Sequence, residues 1–410
     1  MAAGVRAAAL RSDKLREMLL GQTQTLQRIR EARATVAPAG FDLWIHAASL
    51  GEFEQARPVI EAYRKARPTD RILLSFFSPS GYKVRHDYDK VDCVVYLPFD
   101  TPANVKRFLD AAQPKCAVFV KYEFWSNYLH AIAERHIPLY LISSIFRPTQ
   151  RFFKPWGAVS RRILHTYTHI FVQDIPSRDL LARIGVTNVT VAGDTRFDRV
   201  AQIASRAHSI PEIENWLGAA ARRPFVLVAG SSWPQDESCY LPWLNAHPDA
   251  RAILAPHEFD DRRLRLLRDS IQGKAVLWSE VTSGKVSLTA DVQVLVIDCF
   301  GLLSHLYRYG DAAIIGGGLG TGIHNINEAA VYGIPVAFGP HHAKFKEATD
   351  LLAAGAASEY ATPAACSAIL DAWMADPQSR KRAGDAATGY ISRHLGATDC
   401  IMKHLSGSGN

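Results

Sequence analysis

Residues 43–66 read LWIHAASLGEFEQARPVIEAYRKA, and they predict the fold of the chain around them. Leu43–Ser49 is an almost unbroken apolar run, which is typical of a strand buried on both faces of a parallel sheet. Small residues then favour a tight turn, and Glu52–Ala66 has the apolar spacing of an amphipathic helix. The stretch therefore indicates one strand–turn–helix unit of a doubly wound α/β sheet.

The same alternation of strand and helix continues along most of the chain. Apolar runs separated by helical stretches predict right-handed βαβ connections within parallel sheets. The further predicted strands are Arg71–Ser78, Cys93–Pro98, Cys116–Lys121, Leu139–Ser143, His169–Gln173, Val189–Gly193, Phe225–Gly230, Arg251–Pro256, Ala275–Glu280, Val292–Ile297, Ala312–Gly317 and Val336–Gly339. We expect two Rossmann-like doubly wound domains that face each other across a ligand-binding cleft.

A length of 410 residues suits two domains of nearly equal size. We expect a basic amphipathic segment over residues 1–40, a first Rossmann-like domain over residues 41–200, and a linker over residues 201–223. The second Rossmann-like domain is expected over residues 224–362, followed by C-terminal helices over residues 363–410.

Composition excludes several classes of protein. A hydrophobic share of 48% with 21% charged residues excludes wholesale disorder, and no apolar run reaches the ~18 residues of a membrane-spanning helix. Six cysteines without a CxxC pair argue against a disulfide framework or zinc ribbon and favour a reducing compartment. The absence of GxGxxG and GxxxxGK[ST] argues against a dehydrogenase and a P-loop kinase. The formal charge of +7 suggests an anionic partner: nucleic acid, a phospholipid surface or a phosphorylated small molecule.

Two carboxylates follow predicted strands at the carboxyl edge of the first sheet. Glu52 is either a charge at a helix N-terminus or a general base that takes a proton from an attacking hydroxyl. Glu123, which has aromatic neighbours, is either a buried carboxylate paired with Lys121 or an arginine, or a second site residue.

A glycine-rich loop, GGGLGTG over residues 316–322, precedes His324, Asn325 and Glu328. Five glycines in seven residues are entropically costly unless something approaches the backbone closely. The N–H groups of the following helix suit a phosphate, and Glu328 can accept hydrogen bonds from ribose hydroxyls. A plain loop without a ligand is the alternative.

Between Arg135 and Gln173 the chain has no Asp or Glu, while its cations alternate with aromatic residues. This stretch suits stacked bases or lipid phosphates, with a solvated basic face as the alternative. Arg6–Arg33 is also basic and has the apolar residues of a helix lying on an anionic membrane. Asp87-Tyr88-Asp89, the only Asp-x-Asp, offers too few oxygen ligands, so we expect no metal site.

Taken together, the motifs resemble those of the Kdo transferases, which move 3-deoxy-D-manno-octulosonic acid (Kdo) from CMP-Kdo to a lipid A precursor. The resemblance runs from about Trp44 to Ala356. The sequences of Ser49–Phe53 and Phe76–Tyr82 are most similar to those of the Bacteroidetes version of the family. The motifs that carry it are Ser49–Glu52, Tyr122–Trp125, Gly193–Asp198, Ser231-Ser232, His324-Asn325 with Glu328, and Gly339–His341.

The resemblance implies a glycosyltransferase-B fold with an acceptor-binding N-domain and a nucleotide-binding C-domain. It implies inverting transfer without a metal or other cofactor, with Glu52 as the general base, at the cytoplasmic face of the inner membrane. The implied acceptor-binding residues are Ser49, Gly51, Glu123, Arg147, Arg151 and Lys154, the last three as a clamp for a phosphorylated glucosamine disaccharide. The implied nucleotide-binding residues are Ser231, Ser232, His257, Gly317, Gly318, His324, Asn325 and Glu328.

Three positions depart from the family pattern. Pro256–Glu258 reads Pro-His-Glu where the family has Pro-Arg-His, so Arg262 and Arg263 become candidates for the missing phosphate-binding arginine. Gly301-Leu302 replaces a Gly-Glu pair, and Gly322-Ile323 replaces Gly-Gly. Members of the family commonly begin with an apolar membrane anchor, which this sequence does not contain. Either such an anchor has been trimmed, or the amphipathic segment Arg6–Arg33 attaches to the membrane.

Two other functions remain open on the sequence. One is a sugar-nucleotide epimerase of the same architecture, which would need no lipid acceptor. The other is a basic nucleic-acid-binding protein, which would leave the carboxylates and the glycine loop unexplained. We therefore expect no nucleic-acid partner.

Overall fold

A computed structural model describes residues 13–206, 209–218 and 223–407. Its strands are β1 Leu43–Ala47, β2 Ile72–Phe76, β3 Cys93–Tyr96, β4 Ala117–Val120, β5 Leu139–Ser144, β6 His169–Val172, β7 Val189–Val191, β8 Val226–Ser232, β9 Arg251–Pro256, β10 Lys274–Leu277, β11 Val292–Val296, β12 Ala312–Ile315, β13 Val336–Phe338 and β14 Ala357–Glu359. Its helices are α1 Asp13–Thr35, α2 Leu50–Ala66, α3 Pro79–Arg85, α4 Pro102–Ala112, α5 Ser126–Glu134, α6 Ala158–Leu164, α7 Ile175–Ala182, α8 Thr195–Arg206, α9 Pro211–Gly218, α10 Pro234–Ala246, α11 Asp261–Asp269, α12 Trp278–Thr282, α13 Leu303–Leu306, α14 Asn327–Ala330, α15 Lys346–Ala353, α16 Pro363–Ala375, α17 Pro377–Arg393 and α18 Ala397–Gly407.

The first seven strands form one parallel sheet in the order β3-β2-β1-β4-β5-β6-β7. The strand order reverses between β1 and β4, where Trp44 is in register with Ala117. Alternate residues of β1 point to opposite faces, so Trp44 and Ile45 belong to two separate apolar clusters. Because both faces are covered, the strands are continuously apolar, and a ligand site is expected at the carboxyl ends beside the reversal.

The second seven strands form another parallel sheet in the order β10-β11-β9-β8-β12-β13-β14. Here the reversal lies between β8 and β12, where Leu227 is in register with Ala312. Both residues belong to an apolar cluster that α10 and α16 complete. The predicted fold class, α/β with two Rossmann-like doubly wound domains, is confirmed.

The described chain divides into two compact units. Unit 1 extends to Arg199 and resumes at His394, and unit 2 extends from Val200 to Arg393. Helix α8 crosses the division, and α9, which lies in the predicted linker, packs into unit 2 through the buried Trp216.

The C-terminal helices predicted over residues 363–410 belong to two different units. Helices α16 and α17 belong to unit 2, whereas α18 returns to unit 1. Asp198 explains the return, because its carboxylate accepts the N–H groups of Gly396 at 2.7 Å and Thr398 at 2.6 Å at the start of α18. The ring of Phe197 also stacks on His394 with centroids 4.8 Å apart.

Helix α1 packs against unit 1 at the β3 edge of the sheet. Met18 and Ile29 are buried, and the Thr25 hydroxyl donates to the Tyr96 carbonyl at 2.8 Å. The apolar face predicted to lie on a membrane is therefore largely covered by protein, although Leu20 remains 60% exposed. The start of the predicted segment, before residue 13, lies outside the described residues. No helix within the described ranges is both long enough and apolar enough to cross a bilayer.

Two features of the second sheet differ from the sequence prediction. The strand predicted to reach Glu280 ends at Leu277, because the Glu280 carboxylate accepts the Leu277 N–H at 2.9 Å and begins α12. The edge strand β14 was not predicted, since its three residues, Ala-Ser-Glu, have little β-propensity.

Candidate functional site

Ser49 and Glu52 lie in the turn between β1 and α2, beside the reversal of strand order in unit 1. Ser49 begins the helix with an extended backbone, but its hydroxyl caps no helix N–H group. It donates instead to the Glu52 carboxylate, which is half-buried rather than sealed in the core. Gly51 is exposed, and a Cβ there would meet only the Ser49 hydroxyl oxygen at 3.7 Å. The turn therefore presents a carboxylate held by a neighbouring hydroxyl at an open edge of the sheet.

Glu123 follows β4 on the other side of the reversal and is only 8% exposed. Its carboxylate accepts the Trp125 indole N–H and lies 3.2 Å from His46 Nε2. Lys121, the partner considered from the sequence, instead lies over the Tyr122 ring, with Nζ 5.6 Å from its centroid. Glu123 thus contacts the Trp125 indole and the His46 ring rather than a lysine or arginine.

His46 continues this contact into the core of unit 1. Its Nδ1 lies 2.9 Å from the Ser75 hydroxyl, which accepts the Trp44 indole N–H at 2.8 Å. His46 and Ser75 are completely buried. A chain of polar contacts therefore extends from Glu123 through His46 to Ser75 in the core, and these contacts restrict the orientation of the carboxylate.

Residues Tyr122–Trp125 and Gln150–Phe152 line a pocket of about 520 Å³ in unit 1. Glu123 lies in its wall, and Arg151 brings a cation to it. Aromatic walls with a carboxylate and a cation suit a sugar that carries hydroxyl and anionic groups. Lys154 follows the short 3₁₀ turn Arg151–Phe153 and does not line the pocket.

The Tyr122 hydroxyl connects the pocket electrostatically with Glu52. Burial raises the pKa of Tyr122; Arg147 opposes this increase, while Asp174, Glu52 and Asp194 add to it. Glu52 follows β1, Glu123 follows β4 and Arg147 follows β5, so these predicted residues share the carboxyl edge of the parallel sheet. The structure thus groups Ser49, Glu52, Glu123, Arg147 and Arg151 at one edge of unit 1.

Asp194 is a residue whose role the sequence analysis missed. Burial by itself raises its pKa, but Arg196 and Gln55 bind the charged form and bring the pKa below the usual value. Gln55 Nε2 donates to both carboxylate oxygens at 3.1 and 3.0 Å, and the Thr195 hydroxyl donates to the Gln55 carbonyl at 2.6 Å. Gln55 is in α2 three residues after Glu52, so Asp194 holds the helix that carries the proposed base. The Gly193–Asp198 motif marked this region without indicating its function.

The glycine loop of unit 2 follows β12 beside the second reversal. A Cβ on Gly316 would lie 2.2 Å from the Ser231 carbonyl oxygen, and one on Gly318 would lie 2.5 Å from the Gly339 nitrogen. Gly317 has a φ of +90°, which disfavours other residues. The glycines therefore permit close approach between the ends of β8, β12 and β13. The approach of a ligand to this loop stays a prediction.

Ser231 and Ser232 differ in access. Ser231 is half-buried, with a φ of +51°. Ser232 is completely buried, and its hydroxyl donates to Glu237 and accepts from Tyr240, each at 3.2 Å. Ser232 therefore stabilises the interior behind the strand end.

Asp236 is a second residue that the sequence analysis missed. It is completely buried, and one carboxylate oxygen accepts the Trp233 and Gly317 N–H groups, each at 2.9 Å. Burial raises its pKa, although the N–H groups of Gly317, Trp233 and Leu319 oppose that increase. Asp236 thus ties the turn after β8 to the glycine loop. An Asp at the third position of a helix is a recognisable capping signal, which accounts for the bond from Trp233. The bond from Gly317 was not predictable, because that residue is distant in sequence.

Three rings gather at the same edge. His257 stacks on Trp233 and on His324, with centroids 4.3 and 4.7 Å apart. The Trp233 indole N–H donates to His324 Nε2 at 3.3 Å. Burial, and to a smaller degree His257, lowers the pKa of His324. His324 is therefore favoured as a neutral ring, while His257 is exposed.

The other predicted nucleotide-binding residues are close to this cluster in sequence. Asn325 Nδ2 donates to Glu328 Oε1 at 3.0 Å, so the amide orients the carboxylate at the start of α14. Arg263 donates to the buried Glu237 and is thereby engaged inside unit 2, whereas Arg262 is exposed. Of the two candidates for the missing arginine, Arg263 is already paired.

Within the described ranges, no group of three or more His, Cys, Asp or Glu residues could hold a metal ion. Asp87 and Asp89 are exposed, and Asp89 pairs with the adjacent Lys90 at 2.6 Å.

Comparison with known proteins gives matches over both units. The family of 3-deoxy-D-manno-octulosonic-acid transferases (kdotransferases) matches residues 18–199. A 3-deoxy-D-manno-octulosonic acid transferase of Bordetella pertussis is 28% identical over 405 residues, covering 92% of this chain and 90% of the relative. The corresponding enzyme of Aquifex aeolicus (strain VF5) is 27% identical over 317 residues, covering 76% of this chain and 79% of the relative.

Among solved structures, a UDP-GlcNAc 2-epimerase from Neisseria meningitidis bound to UDP-GlcNAc superposes with a TM-score of 0.60. It covers 89% of this chain and 99% of that chain at 16% sequence identity, so it shows the shared fold alone. The family and the two relatives are similar to this chain in sequence, whereas the solved structure is similar to it only in fold. In sequence, the chain is therefore similar to the 3-deoxy-D-manno-octulosonic-acid transferases over most of its length, and this similarity supports a glycosyltransferase.

Proposed function

We propose that the protein transfers Kdo from CMP-Kdo to a lipid A precursor, a tetraacyl disaccharide bisphosphate, with Glu52 as the general base. The observation that carries the proposal is the position of Glu52 beside the strand reversal of unit 1, half-buried and bound by Ser49. A base needs access to the reacting hydroxyl and a fixed orientation, and this carboxylate has both features.

Unit 1 is proposed to bind the acceptor. Its pocket combines Tyr122, Phe124 and Phe152 with Glu123 and Arg151. Aromatic rings suit the sugar faces, the carboxylate can accept hydroxyl groups, and the arginine can bind a phosphate. Arg147 follows β5 at the same carboxyl edge of the sheet, which supports its place in the clamp.

Unit 2 is proposed to bind CMP-Kdo. Its carboxyl edge provides Gly317 and Gly318 in the loop, the exposed His257, and Glu328 held by Asn325. Histidine rings can bind the phosphate, and a carboxylate can accept ribose hydroxyls. The Gly317 N–H already donates to Asp236, so Gly317 is proposed to contribute through close approach of its backbone. The histidine rings can also donate to the negative charge that develops on the leaving phosphate.

The proposed reaction is a single displacement. Glu52 takes the proton of the acceptor hydroxyl, whose oxygen forms a bond to the anomeric carbon of Kdo. The bond between that carbon and the CMP phosphate oxygen breaks, and CMP leaves with the electron pair. One displacement inverts the anomeric centre. The phosphate leaving group needs positive or N–H donors rather than a metal, so no cofactor is required by this scheme.

We also propose that the protein works at the cytoplasmic face of the inner membrane. Trp156 and Val159, which follow the clamp, are each 75% exposed. An exposed tryptophan beside Arg151 and Lys154 suits the headgroup region of an anionic bilayer. The short distance in sequence from these exposed residues to Gln150–Phe152 in the pocket wall supports this proposal.

Replacing Arg147, Arg151 and Lys154 with Ala is expected to raise the acceptor's KM roughly tenfold, about 0.5 kcal/mol for each exposed charge contact, while the affinity for CMP stays unchanged. The measurement is steady-state kinetics with varied acceptor, together with CMP binding by calorimetry. The matched control replaces Lys106, Arg107 and Arg135 with Ala, which removes the same number of positive charges. Lys106 and Arg135 lie outside the pocket, where each pairs with Asp110 at 2.7 Å. A similar rise in the control, or none in the clamp variant, contradicts the clamp.

The epimerase alternative is not favoured, because its support is the shared fold at 16% identity. The two activities differ in their need for an acceptor. With CMP-Kdo alone, a transferase should release CMP only slowly, and the lipid A precursor should accelerate the release. Conversion of the nucleotide sugar without an acceptor would instead support the epimerase.

A further inference from the structure

The contact between Trp233 and His324 fixes where the histidine carries its proton. The indole nitrogen of Trp233 lies 3.3 Å from His324 Nε2. An indole N–H can donate a hydrogen bond but cannot accept one. Nε2 must therefore carry a lone pair, and the proton of the neutral His324 ring must lie on Nδ1.

The tryptophan is itself held firmly. Its backbone N–H donates to Asp236 at 2.9 Å, and its ring stacks on His257 at a centroid distance of 4.3 Å. Asp236 also accepts the Gly317 N–H, and a Cβ on Gly317 would lie 3.2 Å from the His324 ring. Asp236 thus joins the Trp233 backbone to the glycine loop, while the indole ring is held by its stack on His257 and its contact with His324.

We propose that Trp233 is a positioning residue that holds His324 as the Nδ1–H tautomer, so that His324 meets the donor nucleotide as a hydrogen-bond donor of fixed direction. A ring free to exchange tautomers would present a lone pair part of the time, and a lone pair repels a phosphate or carboxylate oxygen. The nature of the ligand rests on the proposed function, whereas the tautomer rests only on the contacts within unit 2.

The tautomer can be measured in the full-length protein without a ligand. Histidine labelled with ¹⁵N distinguishes a protonated ring nitrogen from one with a lone pair, and the His324→Gln spectrum identifies the signal. We expect wild-type His324 to carry its proton on Nδ1. In Trp233→Phe, which keeps a stacking ring but lacks the N–H, the proton should move partly or wholly to Nε2. The affinity for CMP, measured by calorimetry, should fall three- to tenfold because one oriented hydrogen bond is weakened.

Trp243→Phe is the matched control. Trp243 also stacks on a histidine, His247, with centroids 4.6 Å apart, and its indole donates to Asp371 at 2.7 Å. It does not contact the Trp233 group, so neither the His324 tautomer nor CMP affinity should change, and thermal melting checks the folding of both variants.

Three results would overturn the proposal: a wild-type His324 protonated on Nε2, a tautomer unaffected by Trp233→Phe, or an altered tautomer with unaltered CMP affinity. If wild-type protein fails to bind CMP at all, the proposed nucleotide site and the positioning role both fail, while the spectra still decide the tautomer.

Discussion

Glu52→Gln is expected to lower kcat for Kdo transfer about 10³-fold without unfolding the protein. The amide has the size of the carboxylate and can still accept the Ser49 hydroxyl, but it cannot take the proton of the acceptor. Because the change removes a role in the displacement rather than in binding, the KM of either substrate should change little. CMP release in the presence of acceptor measures kcat, and circular dichroism measures the fold.

Glu54→Gln is the control in the same helix. Glu54 lies two residues further along α2 and pairs with Arg85 at 3.3 Å and Arg57 at 4.0 Å. Loss of these partly exposed pairs should change turnover by no more than about twofold. Near-normal turnover in Glu52→Gln, or an equal loss in Glu54→Gln, would remove Glu52 from the role of base.

Gly318→Ala is expected to weaken CMP binding at least tenfold and to lower the free energy of unfolding by about 2 kcal/mol, as overpacking of a rigid site does. The added Cβ would lie 2.5 to 2.7 Å from the nitrogen, Cα and oxygen of Gly339. These are backbone atoms, so they can yield only if the end of β13 moves away from the glycine loop. Calorimetry with CMP and denaturant unfolding measure the two effects.

Gly320→Ala provides the comparison within the same loop. The nearest atom to a Cβ at this position is the Gly317 carbonyl oxygen at 3.8 Å, an ordinary contact. CMP affinity and stability should therefore stay within about 0.5 kcal/mol of wild type. Equal effects of the two alanines would show that the loop is sensitive to glycine loss in general rather than to the approach of Gly339.

Much of the fold could be predicted from the sequence, because strands buried on both faces are continuously apolar. The run at Leu43–Ser49 is an example, and β1 occupies most of it. β14 escaped prediction because an edge strand of three residues needs no such run. The return of α18 to unit 1 also escaped prediction, since it depends on Asp198 accepting N–H groups about 200 residues away.

The candidate site shows the same division. Glu52 and Glu123 were predictable because polar residues directly after buried strands meet at one sheet edge. The residues that hold these elements in place were not predictable. His46 contacts Glu123, and Gln55 contacts Asp194, and both pairs are distant in sequence and meet only in the folded chain. The contact between Gly318 and Gly339 was not predictable, because close approach of two backbone segments cannot be distinguished in sequence from close approach of a ligand. Approach of a ligand to the loop stays a prediction.

The most direct measurement incubates the protein with CMP-Kdo and a tetraacyl disaccharide bisphosphate and then weighs the lipid by mass spectrometry. We predict that the lipid gains the mass of at least one Kdo residue and that CMP appears in equal amount, with neither change in Glu52→Gln. A lipid of unaltered mass, recovered with folded wild-type protein and intact donor, would contradict Kdo transfer to this acceptor.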